Sequence, residues 1–282
     1  MKIAIPKEIK TLEGRVGLVP EACGELVRAG HRVAVEQGAG LASGFADQAY
    51  RDQGVEMLAD AAAIYDFAEL LVKVKEPIGP ELEMLEARHL LFCFLHLAAL
   101  PELQQRLLEI GLTAVAFETL ADAGGLPILA PMSDIAGRLA VQIGANLLHR
   151  PLGGKGLLMG GLPGVPRGRV VILGAGQAGG NAALVAAALG AEVTIFDKRR
   201  ERLETMRALG PNVTALYAYQ HSMARAVETA DLLIGAVLIP GARAPRLVSA
   251  AQVAGMQPGS VLVDISVDQG GCIETTRPTT YD

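Results

Sequence analysis

At 282 residues, with 51% hydrophobic side chains and a net charge of −5, the chain has more residues than one core usually holds and enough apolar material for two. Its basic residues are scattered, which gives no electrostatic footprint for nucleic acid or an anionic membrane. The longest apolar stretch, Leu90 to Leu100, is interrupted by His96 and too short to span a bilayer, and MKIAIPKEIK has no signal-peptide core, so the expected location is the cytosol.

From the N-terminus, short β-rich runs alternate with helical ones. Lys2 to Ile5, Arg32 to Val35, Leu70 to Val74, Leu90 to Leu95 and Thr113 to Phe117 read as strands, and Pro20 to Ala29 and Pro101 to Ile110 as helices. Gly30 and Gly111 follow those helices, where a residue tolerant of positive φ is wanted. The alternation predicts a parallel sheet wrapped by helices, an α/β domain over residues 1–130. Ligands of such sheets collect beyond the carboxyl ends of the strands. The polar residues on which apolar runs terminate are Lys75, His96 and Glu118, of which Lys75 and His96 are singled out and Glu118 is not, together with Arg15 in the loop after the first strand. Each has a structural reading too: Lys75 as a solvated edge charge, His96 as a satisfied core histidine, Glu118 as a brace for a neighbouring element. Together, two cations and one imidazole would suit a small acid carrying a carboxylate and a carbonyl or amine.

Residues 131–282 predict a second domain. A helix over Ser133 to Leu148, N-capped by Ser133, presents Ile135, Leu139, Ile143 and Leu147 as one buried stripe. The glycine-rich segment from Pro151 to Gly168 lacks the GK[ST] ending of a P-loop and reads as a hairpin or interface loop. Then come a strand over Val170 to Leu173, the turn Gly174-Ala-Gly176-Gln-Ala-Gly179, a small-residue helix, and a strand over Val193 to Phe196 that ends in Asp197. This is a dinucleotide fingerprint. Gly174 makes the tight turn, Gly176 leaves room for a pyrophosphate and Gly179 lets helix and strand approach. The helix N-terminus faces the phosphates, and Asp197, 18 residues after Gly179, stands where a ribose needs a carboxylate. Further strands fall at Val213 to Leu216, Asp231 to Leu238 and Ser260 to Ser266. The last runs into Asp268, placed either as a base at a strand end or as a turn residue before Gly270-Gly271; Asp264, inside the strand, reads as structural. Cys23, Cys93 and Cys272 have no metal or redox spacing and read as free thiols, and no metal is expected.

The blocks IPKEIKTLEGRVGLVP, LLVKVKEP, LLFCFLHLA, LAPMSDIAGRLAVQIGA, GKGLLMGGLPGVP, VVILGAGQAGGNAA, DLLIGAVLIPGARAP and VLVDISVDQGGCIETTRPTTYD together resemble the bacterial L-alanine dehydrogenase family, along essentially the whole chain. The resemblance implies two Rossmann-like domains with the active site in the cleft between them. It implies reversible, NAD-dependent oxidation of L-alanine with water to pyruvate and ammonium. By the same resemblance Arg15 and Lys75 match the positions that bind the substrate carboxylate and carbonyl, His96 the catalytic histidine and Asp268 the catalytic aspartate. Ser133, Gly174, Gly176, Gln177, Ala178, Gly179, Asp197, Arg202, Val237, Leu238, Ile265, Ser266, Val267, Asp268 and Arg277 fall on NAD-contact positions. Lys198, Arg199 and Arg200 would suit the extra phosphate of NADP, against which Asp197 argues. Family members are homo-oligomers, commonly hexamers. The family pattern continues past PTTYD with another strand, an asparagine near the nicotinamide and helices that return to the first domain. A polypeptide ending there is expected to expose a sheet edge and apolar surface. Two other readings stay open: a nucleotide-binding portion of a transhydrogenase α subunit, and an NAD-binding module without turnover.

Overall fold

The computed structural model describes residues 1–279. The chain divides into two compact units, Met1–Leu126 and Pro127–Asp282. In the first, the elements in order are β1 (Lys2–Ile5), α1 (Pro20–Arg28), β2 (Arg32–Glu36), α2 (Asp47–Arg51), β3 (Glu56–Leu58), α3 (Ala61–Phe67), β4 (Leu70–Val72), α4 (Glu81–Met84), β5 (Leu90–Cys93), α5 (Pro101–Ile110) and β6 (Thr113–Ala116). The strands form one sheet in the order β3-β2-β1-β4-β5-β6, and every neighbouring pair is parallel. The chain winds outward from β1 to β3, then returns beside β1 and winds the other way, so the switch point lies between β1 and β4.

The second unit runs α6 (Leu129–Leu147), β7 (Arg169–Leu173), α7 (Gln177–Ala188), β8 (Glu192–Asp197), α8 (Arg200–Arg207), β9 (Val213–Tyr217), α9 (Gln220–Thr229), β10 (Leu232–Gly235), α10 (Ala250–Ala254) and β11 (Val261–Asp264). Its sheet, ordered β11-β10-β7-β8-β9, is also parallel throughout and has its switch point between β7 and β10. Alternate residues feed two cores: Val170, Ile172, Val193, Ile195, Leu232 and Ile234 on one face, Val171, Leu173, Phe196 and Leu233 on the other. Both faces are covered, as an all-parallel sheet requires. The expected α/β class, two parallel sheets flanked by helices, is therefore present.

Several strands end earlier than their apolar runs suggest. β4 stops at Val72 rather than Val74, β5 at Cys93 rather than Leu95, and β10 at Gly235 rather than Leu238. Lys73, Phe94 and Ala236 each still donate one backbone N–H to the neighbouring chain segment, and beyond them the backbone turns to side-chain partners. Val74 donates its N–H to the carboxylate of Glu8 at 2.6 Å, and Val237 donates to the hydroxyl of Ser266 at 3.0 Å.

The helix after Pro131 departs from expectation in two ways. It begins at Leu129 behind Ile128, whose side chain caps nothing, so Ser133 is an interior residue and not the N-cap. Pro131 is accommodated in the first turn, where its missing N–H is not needed. The buried stripe is also a different one: Gly137, Ala140, Val141 and Gly144 are buried, while Ile135, Leu139, Ile143 and Leu147 are 51, 44, 41 and 38% exposed. The cause is a close approach. A Cβ on Gly137 would lie 2.1 Å from the Ala178 carbonyl oxygen in the first turn of α7, and one on Gly144 would lie 2.5 Å from Leu232 on β10. Only small residues fit that face, which turns the large ones outward. The glycine-rich segment does form a hairpin, closed by reciprocal hydrogen bonds between Leu162 and Val165.

An ionic cluster sits inside the first unit. Lys73, 1% exposed, directs its ammonium to Glu8 at 3.2 Å and Glu81 at 3.0 Å, while Tyr65 donates its hydroxyl to Glu81 at 3.2 Å. Burial lifts the Glu8 carboxyl above its ordinary range, with Lys73 opposing; for Lys73 burial works against the charge, but Glu81 and Glu8 outweigh it and hold the ammonium protonated. Since Glu8 also holds the Val74 N–H, the cluster fixes where β4 lets go of the sheet. Lys73→Met would strand two buried carboxylates without a cation. We expect a loss of about 3–5 kcal/mol, read as a lower urea midpoint; an unchanged midpoint would mean that the carboxylates find other partners.

Candidate functional site

In the first unit the polar residues converge on the carboxyl ends of β1, β4 and β5, astride the switch point. The loop after β1 passes over the end of β4 so closely that a Cβ on Gly17 would lie 2.6 Å from the Val72 carbonyl oxygen. Arg15 is in that loop, and its guanidinium forks onto the carboxylate of Glu13, with Nε–Oε1 at 2.8 Å and a terminal nitrogen to Oε2 at 2.5 Å. Burial pushes the Glu13 carboxyl up, but the hydrogen bonds from Arg15 and the charges of Arg15 and Lys75 prevail and hold it below its ordinary range. One carboxylate thus feels both cations. Glu13 was not anticipated; its place two residues before Arg15, in TLEGR, was the available signal.

His96 stands past the end of β5, on the neighbouring strand. Its φ of 49° is left-handed, a conformation that costs a non-glycine residue on the order of 1–2 kcal/mol. The backbone leading into it is anchored by Glu118, 3% exposed, whose carboxylate accepts the N–H of Leu95 at 3.2 Å and of His96 at 2.6 Å. The imidazole lies parallel to the Phe94 ring at 5.8 Å between centroids, and its Nδ1 is buried with no hydrogen-bond partner among the described residues. A buried ring nitrogen without a partner is costly and uncommon, and a catalytic role is one explanation for such an atom.

In the second unit the fingerprint turn has the geometry that its glycines suggest. Gly174 has φ of 100° and passes so near β10 that a Cβ would lie 2.5 Å from the Ala236 carbonyl oxygen. A Cβ on Gly179 would lie 1.7 Å from the Gly174 carbonyl oxygen, so helix and turn touch there. At Gly176 a hypothetical Cβ would just touch the Arg202 guanidinium at 3.4 Å, with no other atom of the described residues beyond its chain neighbours within 4 Å, so this is the least crowded of the three glycines. Gln177 and Ala178 open α7, and Gln177 donates to Asp134 of α6, the residue after Ser133, at 2.6 Å. Asp197 ends β8 and accepts the N–H of Ala175 at 2.7 Å and of Arg199 at 2.8 Å, with Arg202 at 3.7 Å. Its carboxylate locks the turn and still has lone pairs to offer.

Across the switch point, Val237 and Leu238 follow β10, and the hydroxyl of Ser266 donates to the Val237 carbonyl oxygen at 2.8 Å. Ile265–Gln269 form a short 3₁₀ turn after β11, with Asp268 exposed. Asp264 organises that turn. It accepts the N–H of Ser266, Cys272 and Ile273 at 3.0, 2.9 and 3.0 Å and the hydroxyl of Thr276 at 2.7 Å, which closes a loop that contains Asp268, with the exposed Arg277 just beyond. Among the described residues no cluster of His, Cys, Asp and Glu could hold a metal. Burial pushes the thiols of Cys23 and Cys272 up to about 12, which makes neither a nucleophile. No helix among the described residues is long and apolar enough to cross a membrane.

Two family models match: alanine dehydrogenase/PNT, N-terminal domain, over residues 4–136 and alanine dehydrogenase/PNT, C-terminal domain, over residues 140–282. The chain is 50% identical to the alanine dehydrogenase of Bacillus subtilis (strain 168) over 284 aligned residues, covering all of this chain and 75% of that protein. Among solved structures, an L-alanine dehydrogenase matches with a TM-score of 0.88 and 51% identity over the whole chain and 78% of its own length. A transhydrogenase from Sinorhizobium meliloti matches with a TM-score of 0.79 and 31% identity, over 98% of this chain and 82% of its own. The chain is a member of the alanine dehydrogenase/PNT family.

Proposed function

We propose that this protein is an L-alanine dehydrogenase, converting L-alanine, NAD and water reversibly to pyruvate, ammonium, NADH and a proton. The observation that carries the reading is the grouping of Arg15, Lys75 and His96 on adjacent strand ends of one unit, in a chain whose other unit has a dinucleotide turn at its own switch point. Identity of 50% to an alanine dehydrogenase, against 31% to a transhydrogenase, supports the dehydrogenase over the nucleotide-binding alternative.

The residues of the second unit fit NAD. The opening at Gly176, the N-terminus of the twelve-residue α7 and the Arg202 guanidinium would take the pyrophosphate, and Asp197 the adenosine ribose. Ser133, Gly174, Gln177, Ala178, Gly179, Val237, Leu238, Ile265 to Val267 and Arg277 are the further contacts assigned to it. Bound NAD would supply the hydride acceptor. Of the basic run after Asp197, Arg200 pairs with Glu204 along α8 at 2.9 Å, and Asp197 would repel a 2′-phosphate, which favours NAD.

On the substrate side, Arg15 and Lys75 would fix the carboxylate, and the Lys75 ammonium would stabilise negative charge developing on oxygen. The resulting imine must be attacked by water before ammonia leaves. His96 would carry the protons of that step, and Asp268 would orient the water or receive the ammonium. The exposed apolar stripe of α6 supports a homo-oligomer, because contiguous apolar surface of this kind marks association.

Purified protein given L-alanine and NAD should produce NADH in proportion to alanine; retained NAD binding with no alanine-dependent NADH would leave a binding module. His96→Ala should lower kcat by about 10²–10⁴-fold with NAD affinity within twofold, and equal loss of both would make His96 structural. Asp197→Ala frees the Ala175 N–H as well, so affinity for both nucleotides should drop, but the NAD-to-NADP preference should shrink at least tenfold. An unchanged ratio would remove Asp197 from the ribose.

A further inference from the structure

Glu118 lies in a short 3₁₀ turn, Phe117–Thr119, that follows β6 directly. The β5–β6 ladder ends at the pair Cys93 and Ala116. Phe94 turns its N–H the other way, to the Val74 carbonyl oxygen at 3.0 Å, which leaves the N–H groups of Leu95 and His96 without a strand to bond. These two successive donors meet on one carboxylate, Glu118, with one of its oxygens on each, just before the backbone turns left-handed at His96. The residue before it works on the same target. Phe117 packs edge-on against Phe94 at 5.2 Å between centroids, and Phe94 is the ring that underlies the imidazole.

Resting on the reading of His96 given above, we propose that Glu118 is the positioning residue of His96: by accepting two consecutive backbone N–H groups it pins the peptide plane that carries the His96 Cα, the place from which the imidazole is aimed. The position demands a carboxylate. Both partners are donors, and an amide of the same shape has one acceptor oxygen and would face the second N–H with its own N–H₂ group. A merely buried polar brace would tolerate glutamine; a clamp on two donors would not.

The test compares Glu118→Gln and Glu118→Asp in the full chain, with His96 imidazole signals in long-range ¹H–¹⁵N spectra assigned by their loss in His96→Ala. In Glu118→Gln the His96 signals should shift or double while those of His31, His149 and His221 stay, kcat should fall at least tenfold, and the KM for alanine should change less than threefold. Glu118→Asp keeps both oxygens and should recover at least a third of the lost kcat. Unmoved His96 signals, signals of all histidines moving together, or a glutamine variant with undiminished kcat would each overturn the proposal. A wild-type chain without alanine-dependent turnover would instead sink the dehydrogenase reading, and the imidazole signals would still decide the role of Glu118.

Discussion

A parallel ladder ends by leaving backbone N–H groups with no further strand residue to bond, and buried donors must be paired. Here carboxylates meet that need at the strand ends of the candidate sites. Glu8 takes the Val74 N–H beside Lys75, Glu118 those of Leu95 and His96, Asp197 that of Ala175 in the fingerprint turn, and Asp264 those around the Asp268 turn. Charge-assisted bonds of this kind are short and roughly twice as strong as neutral ones. They hold a loop in one geometry without a regular element to support it.

The sheets decide which loops these are. In both units the switch point separates loops that leave in opposite directions, and the crevice between them is where a ligand finds room. Arg15 and Lys75 follow the two strands that flank it in the first unit; the Gly174 to Gly179 turn and Val237 follow the two that flank it in the second. Gly17 and Gly174 allow the close crossings there, each with a carbonyl oxygen of the neighbouring strand's end where a side chain would have to be.

Much of this was legible in the order of residues, because apolar runs that stop on a polar residue betray strand ends, and because the fingerprint couples three glycines to one carboxylate by spacing alone. What was not legible depends on the third dimension. Lys73 and Lys75 alternate in the same run, VKVKEP, yet only Lys73 is sealed in the core, because Glu8 and Glu81 come from elsewhere to meet it. The α6 stripe misled for a related reason: large apolar residues at helical spacing usually mark the buried side, but contact with α7 is so close that glycine and alanine take that side instead. Ser133 looked like a cap because serine favours that place, yet Pro131 tolerates the first turn as well as it tolerates the approach to it.

Glu13 shows what a carboxylate means for the substrate side. Arg15 already holds one carboxylate in the bidentate geometry that planar recognition of an acid requires, and Lys75 adds its field to the same group. Under the proposed activity, a substrate carboxylate would therefore enter a place where two cations are organised around negative charge, and would compete with Glu13 for them. Replacing one ion pair by another yields little net Coulombic gain. Discrimination among small acids would then come from the shape of the space and from the imidazole that Glu118 holds in place, not from the strength of the charge attraction.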